Sequence, residues 1–118
     1  MAAKDVLGRR GEDLAVEYLQ RQGLVVLSRN WRCREGEIDV VATDKRRLVV
    51  CEVKTRSGTR FGEPAEAVDH RKAARIRRVT QAWLALHHVR WCEIRFDVLA
   101  VVAEPGHPVT VRHYRAAF

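Results

Sequence analysis

The sequence predicts an α/β domain in which one helix, three strands, a second helix and two strands follow one another. Three observations predict it. Two apolar runs alternate residue by residue on either side of a short polar break, within residues 36–56. Two longer stretches, one before and one after these runs, carry apolar residues at helical spacing. The length of 118 residues fits one domain, spanning 1–118, with one core region and no internal linker.

The first helix is predicted from about Asp5 to Gln22. Gly23 is suited to end it, because glycine readily adopts the left-handed conformation that follows many helices. Residues 24–31 then read as a first strand, and Glu35-Gly36 turns the chain toward the second. The apolar face of the helix is formed by Leu7, Gly11, Leu14, Ala15, Tyr18 and Leu19.

The second and third strands are predicted to form a hairpin closed by the polar residues 43–47. Alternation places residues 37, 39 and 41 on one face and 38, 40 and 42 on the other. In the third strand, residues 48, 50, 52 and 54 share a face. A hairpin symmetric about Lys45 and Arg46 sets Asp39 opposite Glu52 and Glu37 opposite Lys54.

The second helix is predicted to begin after Asp69, a suitable N-cap, and to run to about His87. Residues 57–70 before it have the Gly, Pro and Ser content of a loop. Lys72 falls on the apolar face of this helix, while Arg71, Arg75 and Arg78 lie on or near the opposite side. Lys72 therefore either points toward a site or extends along the sheet to water. The apolar face comprises Ala73, Ile76, Val79, Thr80, Trp83 and Leu84.

The last two strands are predicted at Ile94–Val102, in the centre of the sheet, and at Val109–Tyr114, at its edge. The sequence Glu104-Pro105-Gly106 forms the turn between them. Asp97 lies within the apolar run of the first of these strands. A pairing with a nearby arginine, such as Arg95 or Arg112, is favoured over a role next to a metal site.

Composition excludes several classes of protein. No apolar run approaches the ~20 residues of a membrane span, and the N-terminus lacks the apolar core of a signal peptide, so a cytoplasmic protein is expected. Cys33, Cys51 and Cys92 are odd in number and widely spaced, which favours three buried thiols over disulfides or a zinc site. The five histidines show no metal-ligand spacing.

The net charge of +7, with arginine supplying 18 of the 22 basic residues, favours a nucleic-acid partner. The alternative is that arginine-rich faces are simply solvated. The arginines expected to contact a nucleic-acid backbone are Arg56, Arg60, Arg71, Arg75 and Arg78, with Phe61 beside Arg60.

Two carboxylates and an ammonium group interrupt otherwise apolar strands at Asp39, Glu52 and Lys54. Partly buried charges are costly unless a cation or a reaction requires them, and like charges opposite each other destabilise a sheet. The hairpin therefore predicts a divalent-metal site. Glu12, at the edge of the apolar stripe of the first helix, either bends toward this site or is an ordinary surface glutamate.

The order of these motifs resembles the PD-(D/E)xK nuclease superfamily, and within it the archaeal Holliday junction resolvases. The nearer resemblance is to the bacterial YraN-like uncharacterised family. It covers most of the chain, from Gly8-Arg9-Arg10-Gly11-Glu12 through the hairpin and residues 60–64 to Lys72, Arg75 and residues 95–98. Ile38 stands where the superfamily motif has proline.

The resemblance implies a restriction-endonuclease-like αβββαβ core with a mixed central sheet flanked by helices. It implies that Glu12, Asp39, Glu52 and the Val53 carbonyl hold Mg²⁺ or Mn²⁺, and that Lys54 is the motif lysine. The catalytic set would be Asp39, Glu52 and Lys54, with Lys54 acting either as a base or, as we favour, by positioning and charge stabilisation. Glu37 and Lys72 would support these residues from outside the metal shell.

Three hypotheses follow for function. The first is a metal-dependent DNA endonuclease, with selectivity for branched or damaged DNA and a homodimeric state as further options. The second is a noncatalytic nucleic-acid-binding module that keeps the nuclease fold, for which binding would be sensitive to salt and indifferent to magnesium. The third is a protein that acts mainly through a protein partner.

Overall fold

A computed structural model of the protein describes residues 3–57 and 68–118, and the side chains of 9–57 and 68–118. The two helices and five strands follow the predicted order, with bounds that differ from the predicted ones by at most two residues. They are α1 (Ala3–Arg21), β1 (Val25–Cys33), β2 (Gly36–Thr43), β3 (Arg47–Arg56), α2 (His70–Leu86), β4 (Glu93–Val102) and β5 (Thr110–Tyr114). Neither helix, over its described residues, is long and apolar enough to cross a membrane.

The five strands form one mixed sheet in the order β1-β2-β3-β4-β5. β3 and β4 are parallel and are joined through α2, whereas the other neighbours are antiparallel. A parallel pair requires such a crossover connection, because the chain must return to the same end of the sheet. The predicted α/β class, the central position of β4 and the edge position of β5 are confirmed.

Each face of the sheet is covered by one helix. The cluster on the α1 side is built from the small and branched residues Ala15, Val16, Leu19, Val40, Ala42, Val49, Cys51, Leu99 and Val101. The cluster on the α2 side is built from Ile38, Val41, Leu48, Val50, Ile76, Val79, Trp83 and Phe96. Both faces of the central strands are buried, which explains why β3 and β4 read as nearly continuous apolar runs.

Two local features place part of each helix near the C-terminal half of β3. A Cβ atom on Gly11 would collide with the Thr55 hydroxyl, so glycine allows α1 to approach β3 there. At the start of α2, the Asp69 carboxylate accepts a hydrogen bond from the Lys72 backbone N–H at 2.9 Å, as an N-cap residue does. These contacts bring Glu12 and Lys72 toward the same end of β3.

The predicted alternation along β2 is wrong at Ile38. Ile38 packs on the α2 side with Val41, whereas Val40 and Ala42 pack on the α1 side, so the chain changes face between residues 38 and 40. Neighbouring β1 has Asn30 at a positive φ of 48°, an irregular strand conformation. The change of face lies at Asp39, the predicted metal ligand.

The cysteines agree only in part with the prediction of three buried thiols. All three are free. Cys51 is buried in the α1-side cluster, and burial raises the pKa of its thiol far above the usual range, which makes it unreactive. Cys33, at the end of β1, and Cys92, just before β4, are only half-buried and pack at the border of the α2-side cluster.

Candidate active site

The β2–β3 hairpin has the predicted register where the two strands are paired. The pairs run from Thr43–Leu48 to Val40–Cys51, and the numbers of each pair sum to 91. The pairing ends just before Asp39 and Glu52. There the Asp39 carboxylate Oδ2 accepts a hydrogen bond from the Val53 backbone N–H at 2.8 Å. The Asp39 side chain thus joins the two strands where the backbone pairing stops.

The Val53 carbonyl points to the same place, the gap between β2 and β3 where the backbone pairing stops. In a strand, the N–H and C=O of one residue point to the same edge, and the Val53 N–H points to β2 through Asp39. The carbonyl oxygen of Val53 therefore lies on the side of the carboxylates. Asp39, Glu52 and the Val53 carbonyl together present oxygen atoms to one region.

Glu52 is buried, with 8% of its surface exposed, and two lysines contact the same oxygen. Lys72 Nζ lies 2.6 Å from Glu52 Oε1, and Lys54 Nζ lies 3.7 Å from it. A buried carboxylate requires such partners, because the unpaired charge would be strongly destabilising. Of the two possibilities open for Lys72, the structure has the one in which the side chain points into the site.

The two ammonium groups have opposite pKa shifts. Burial lowers the pKa of Lys54, and the adjacent Lys72 lowers it further. Burial also acts to lower the pKa of Lys72, but its hydrogen bonds with Glu52 and Lys54, together with the negative charges of Glu52 and Asp39, outweigh this and raise the pKa. Lys72 is therefore the lasting counter-ion of Glu52, and Lys54 is the more weakly held of the two cations.

Asp39 holds its proton unusually strongly. Burial raises its pKa to about 7, and the neighbouring Glu52 carboxylate adds to this by repulsion and by accepting a hydrogen bond from protonated Asp39. The bond from the Val53 N–H acts in the opposite direction. A proton thus sits between two carboxylates, in a place that a metal cation could take.

Glu12 lies at the edge of this cluster. Its carboxylate accepts a hydrogen bond from the Asn30 side chain at 2.8 Å, with an Arg29 nitrogen at 3.9 Å. Its charge contributes to the raised pKa of Asp39, so it is within electrostatic reach of the site. Within residues 3–57 and 68–118, no three acidic, histidine or cysteine side chains lie together closely enough to form a metal site.

Asn30 was not predicted to have a role, and it is the residue that holds Glu12. Its signal in the sequence is weak: an asparagine, which tolerates positive φ, lies within an apolar strand. Glu37 was predicted to face Lys54. It instead forms an ion pair with Arg32 at 3.4 Å, because residues 32 and 37 are partners in the β1–β2 pairing.

The basic residues divide into two groups. On β3, Arg56 follows Lys54 on the same face, and its Nε is buried with no hydrogen-bond partner among the described residues. On α2, Arg71, Arg75 and Arg78 are exposed, and Arg78 forms an ion pair with Glu35 at 3.3 Å. Two predicted contacts, Arg60 and Phe61, lie outside the described residues.

Asp97 belongs to a separate buried network. It accepts two hydrogen bonds from Arg95, each at 2.8 Å, which confirms the predicted pairing. His113 Nε2 lies 2.6 Å from the same carboxylate, and His113 Nδ1 lies 3.1 Å from the Tyr18 hydroxyl. The network thereby connects β4, β5 and α1, and its function is structural.

Replacing Asp39 with asparagine is expected to stabilise the protein at pH 8. Folding raises the pKa of this carboxyl from 3.8 to about 7. Its contribution to the free energy of unfolding is therefore fully present below about pH 4, where the carboxyl is protonated in both states, and is lost as the pH rises through 7. Asparagine imitates the protonated form and still accepts from the Val53 N–H. Urea unfolding at pH 8 should give a gain on the order of 1 to 3 kcal/mol, and a smaller difference at pH 5. A variant that is less stable than wild type at pH 8 would contradict the raised pKa.

Comparison with known proteins shows a relationship along the whole chain. The model of the uncharacterised protein family UPF0102 matches residues 11–101. The chain is 58% identical over 118 residues to the UPF0102 protein of Frankia alni, covering all of this chain and 98% of that protein. The corresponding protein of Nocardia farcinica is 47% identical over 115 residues, covering 98% of this chain and 91% of that protein. The matched region contains the helix, hairpin and α2 residues of the site.

Proposed function

The chain belongs to the uncharacterised protein family UPF0102, and we propose that it is a metal-dependent endonuclease of the PD-(D/E)xK type that acts on DNA. The observation that carries the proposal is the meeting of Asp39, Glu52 and Lys54 where the β2–β3 pairing opens. Two neighbouring carboxylates, Glu52 buried and Asp39 half-buried, repel each other and thereby destabilise the fold. Such an arrangement is typical of a functional site.

The donor atoms suit magnesium. Mg²⁺ prefers oxygen ligands, keeps several waters and uses one or two carboxylates. Asp39 and Glu52 would hold it, with the Val53 carbonyl as a third oxygen. Both lysines contact Oε1 of Glu52, and this leaves its second carboxylate oxygen for the ion. Glu12 would become a further metal ligand by turning away from Asn30, or would contact the ion through a bound water. Mn²⁺ fits the same ligands.

When bound, a magnesium ion would neutralise part of the phosphate charge and lower the pKa of a water molecule bound to it. The chain's own residues supply the rest. Lys54, with a lowered pKa but a carboxylate beside it, donates to the phosphate and stabilises the charge that develops there. Lys72 pairs with Glu52 at 2.6 Å and holds its side chain in place. Arg56, whose Nε has no partner among the described residues, adds positive charge on the same face.

The charge distribution supports a nucleic-acid substrate. The site carries Lys54, Arg56 and Lys72 beside the carboxylates of Glu52 and Asp39, and the outer face of α2 adds exposed arginines. With a net charge of +7, a polyanion is attracted over distances comparable to a Debye length of about 8 Å. We propose DNA, branched or otherwise structured, on the basis of the resemblance to Holliday junction resolvases.

One observation favours a second candidate, the noncatalytic nucleic-acid-binding module. Lys72 already neutralises Glu52 at 2.6 Å, so the acidic cluster is partly compensated without any metal. In that case the cluster would serve stability alone. The arginines would bind nucleic acid independently of magnesium.

The test is a cleavage assay on single-stranded, duplex, flapped and four-way-junction DNA, with Mg²⁺, Mn²⁺ or EDTA. The proposal predicts cutting that requires the metal and is lost in Asp39→Ala and in Glu52→Ala. The Glu93→Ala variant is the matched control, since Glu93 is an exposed acid at the other end of the adjacent strand. It should cut as wild type does.

Two outcomes would overturn the proposal. Cutting that persists in both site variants would identify a contaminating nuclease. Binding without cutting on every substrate, unchanged in the variants and indifferent to magnesium, would establish the noncatalytic module.

A further inference from the structure

We propose that Trp91, at the far end of α2 from the candidate active site, is a stacking platform for a base of single-stranded nucleic acid. Trp91 has 94% of its surface exposed, which is exceptional for the largest apolar side chain. Tryptophan stacks on any base, because every base has a flat aromatic face. The inference rests on the proposed function, because it concerns a nucleic-acid strand that continues beyond the candidate active site. Its test, however, needs neither metal nor cleavage.

Trp91 borders a groove of about 340 Å³ between the end of α2 and the start of β4. This is at the lower end of the ~300–1,000 Å³ of small-ligand sites and suits a single flat group. Its lining is mixed: Arg90 lies beside the tryptophan, and the other lining residues are Gln81, Leu84, Ala85, Val89, Cys92 and Ile94. A groove with an aromatic edge, apolar side chains and a cation suits a base and its phosphate.

The groove continues into a second, basic one. This groove, of about 250 Å³, is lined by Arg77, Arg78, Gln81, Ile94 and Phe96, and it shares two residues with the first. Arg77 lies over the Phe96 ring, 4.5 Å from its centre.

The nearby acids are already compensated. Glu35 is paired with Arg78 at 3.3 Å, and Glu93 with Arg47 at 3.7 Å. Arg90 is exposed, and no ion pair is formed by it within the described part of the chain. The surface therefore keeps an excess of positive charge, which suits a phosphate backbone.

The distance from Trp91 to the candidate active site can be spanned by one continuous nucleic-acid strand. From Lys72 to Leu86, α2 extends 14 residues, or ~21 Å at 1.5 Å per residue. Along the sheet, the start of β4 lies opposite Arg47 of β3. Arg47 is five residues before Glu52, which corresponds to ~17 Å at 3.3 Å per residue. About 20 Å corresponds to roughly six nucleotides at 3.4 Å spacing. The exposed residues Arg71, Arg75 and Arg78 lie along this path.

A second copy of the chain is the less suitable occupant. A symmetric dimer through this surface would bring the same patch of each subunit together. Arg77, Arg78 and Arg90 would then face their own counterparts, and like charges at an interface are repulsive. A polyanion meets no such repulsion.

The experiment measures binding of a fluorescein-labelled oligothymidine of about 12 nucleotides, a usual length for single-strand sites, by anisotropy in EDTA. Trp91→Ala is expected to weaken binding roughly tenfold. Trp91→Phe, which keeps an aromatic face, should stay within about threefold of wild type. Val109→Ala, an exposed apolar residue on another part of the surface, should have no effect.

Salt dependence and oligomeric state give the decisive controls. Trp91→Ala should leave the slope of log Kd against log salt unchanged, because stacking releases no counter-ions, whereas Arg90→Gln should reduce it by about one. Unchanged affinity in Trp91→Ala would overturn the inference. So would a wild-type dimer that this substitution converts to a monomer. If the tryptophan effect is present and metal-dependent cleavage is absent, the proposed nuclease function fails and this inference stands.

Discussion

Replacement of Asp97 by alanine is expected to destabilise the fold by about 3 to 5 kcal/mol, the usual cost of removing one partner from a buried ion pair. Asp97 is fully buried and accepts hydrogen bonds from Arg95, His113 and the Ala116 backbone N–H. Without it, Arg95 and His113 lose their acceptor inside the protein. The loss is a large part of a typical stability of 5 to 15 kcal/mol.

Urea unfolding at pH 7 measures this effect. Asp13→Ala is the matched control, because Asp13 forms an exposed ion pair with Arg29 and its loss should cost less than about 1 kcal/mol. If Asp97→Ala were as stable as Asp13→Ala, the network would not hold β4, β5 and α1 together.

The pH dependence of stability provides a second readout for Asp97. Burial acts to raise its pKa, but the hydrogen bonds from His113, Arg95 and the Ala116 N–H outweigh it and lower the pKa to about 2. A lowered pKa contributes stability above pH 4, and this is lost as pH falls from about 4 to about 2. The contribution is roughly 2 kcal/mol. Asp97→Asn, which cannot ionise, should lack this part of the acid transition.

Replacement of Lys54 by methionine is expected to lower the rate of DNA cleavage about 100-fold or more, the usual effect of removing a group that stabilises developing charge. Methionine keeps the length and apolar stem of lysine and removes only the ammonium group. Lys72 still compensates Glu52 in this variant, so the fold and the carboxylates should be preserved. Single-turnover cleavage with saturating DNA measures the change.

Two further variants define the role of Lys54. Lys54→Arg keeps a positive charge but cannot act as a base, since arginine is always protonated. Charge stabilisation predicts that this variant stays within about tenfold of wild type, whereas a general base predicts a loss as large as that of methionine. Lys45→Met, in the exposed hairpin turn, is the control and should cleave normally.

The hairpin explains why much of the site was predictable from sequence. Alternation and a short polar turn fix both the faces of β3 and the register, and the observed pairs have the predicted sum of 91. The position of Lys72 on the apolar face of α2 was visible from helical spacing alone. Its contact with Glu52 follows from that position and from the crossover that lays α2 over β3.

Features that depend on tertiary contacts were not predictable. Ile38 packs on the opposite face from Val40, beside the positive φ of Asn30 and just beyond the last β2–β3 pair at Val40, and the sequence carries only a weak signal for this. His113 meets Asp97 from 16 residues away, through a register that the β4–β5 turn determines. The exposure of Trp91 follows from where α2 ends, which helical spacing alone does not fix to within a turn.

The proposed divalent-cation site at Asp39 and Glu52 is tested most directly by titration with Mn²⁺ in the absence of DNA. Calorimetry would follow binding to wild type, Asp39→Asn and Lys72→Met, with Glu93→Gln as the control. Binding requires Asp39 to release the proton that its raised pKa of about 7 retains, so affinity should increase from pH 6 to pH 8.

We expect saturable binding to wild type and Glu93→Gln, loss of binding in Asp39→Asn, and tighter binding in Lys72→Met. The last result is expected because removing the ammonium that lies 2.6 Å from Glu52 removes a competing positive charge. Binding that Asp39→Asn does not weaken, or no saturable binding to wild type at pH 8, would contradict a metal site between these two carboxylates.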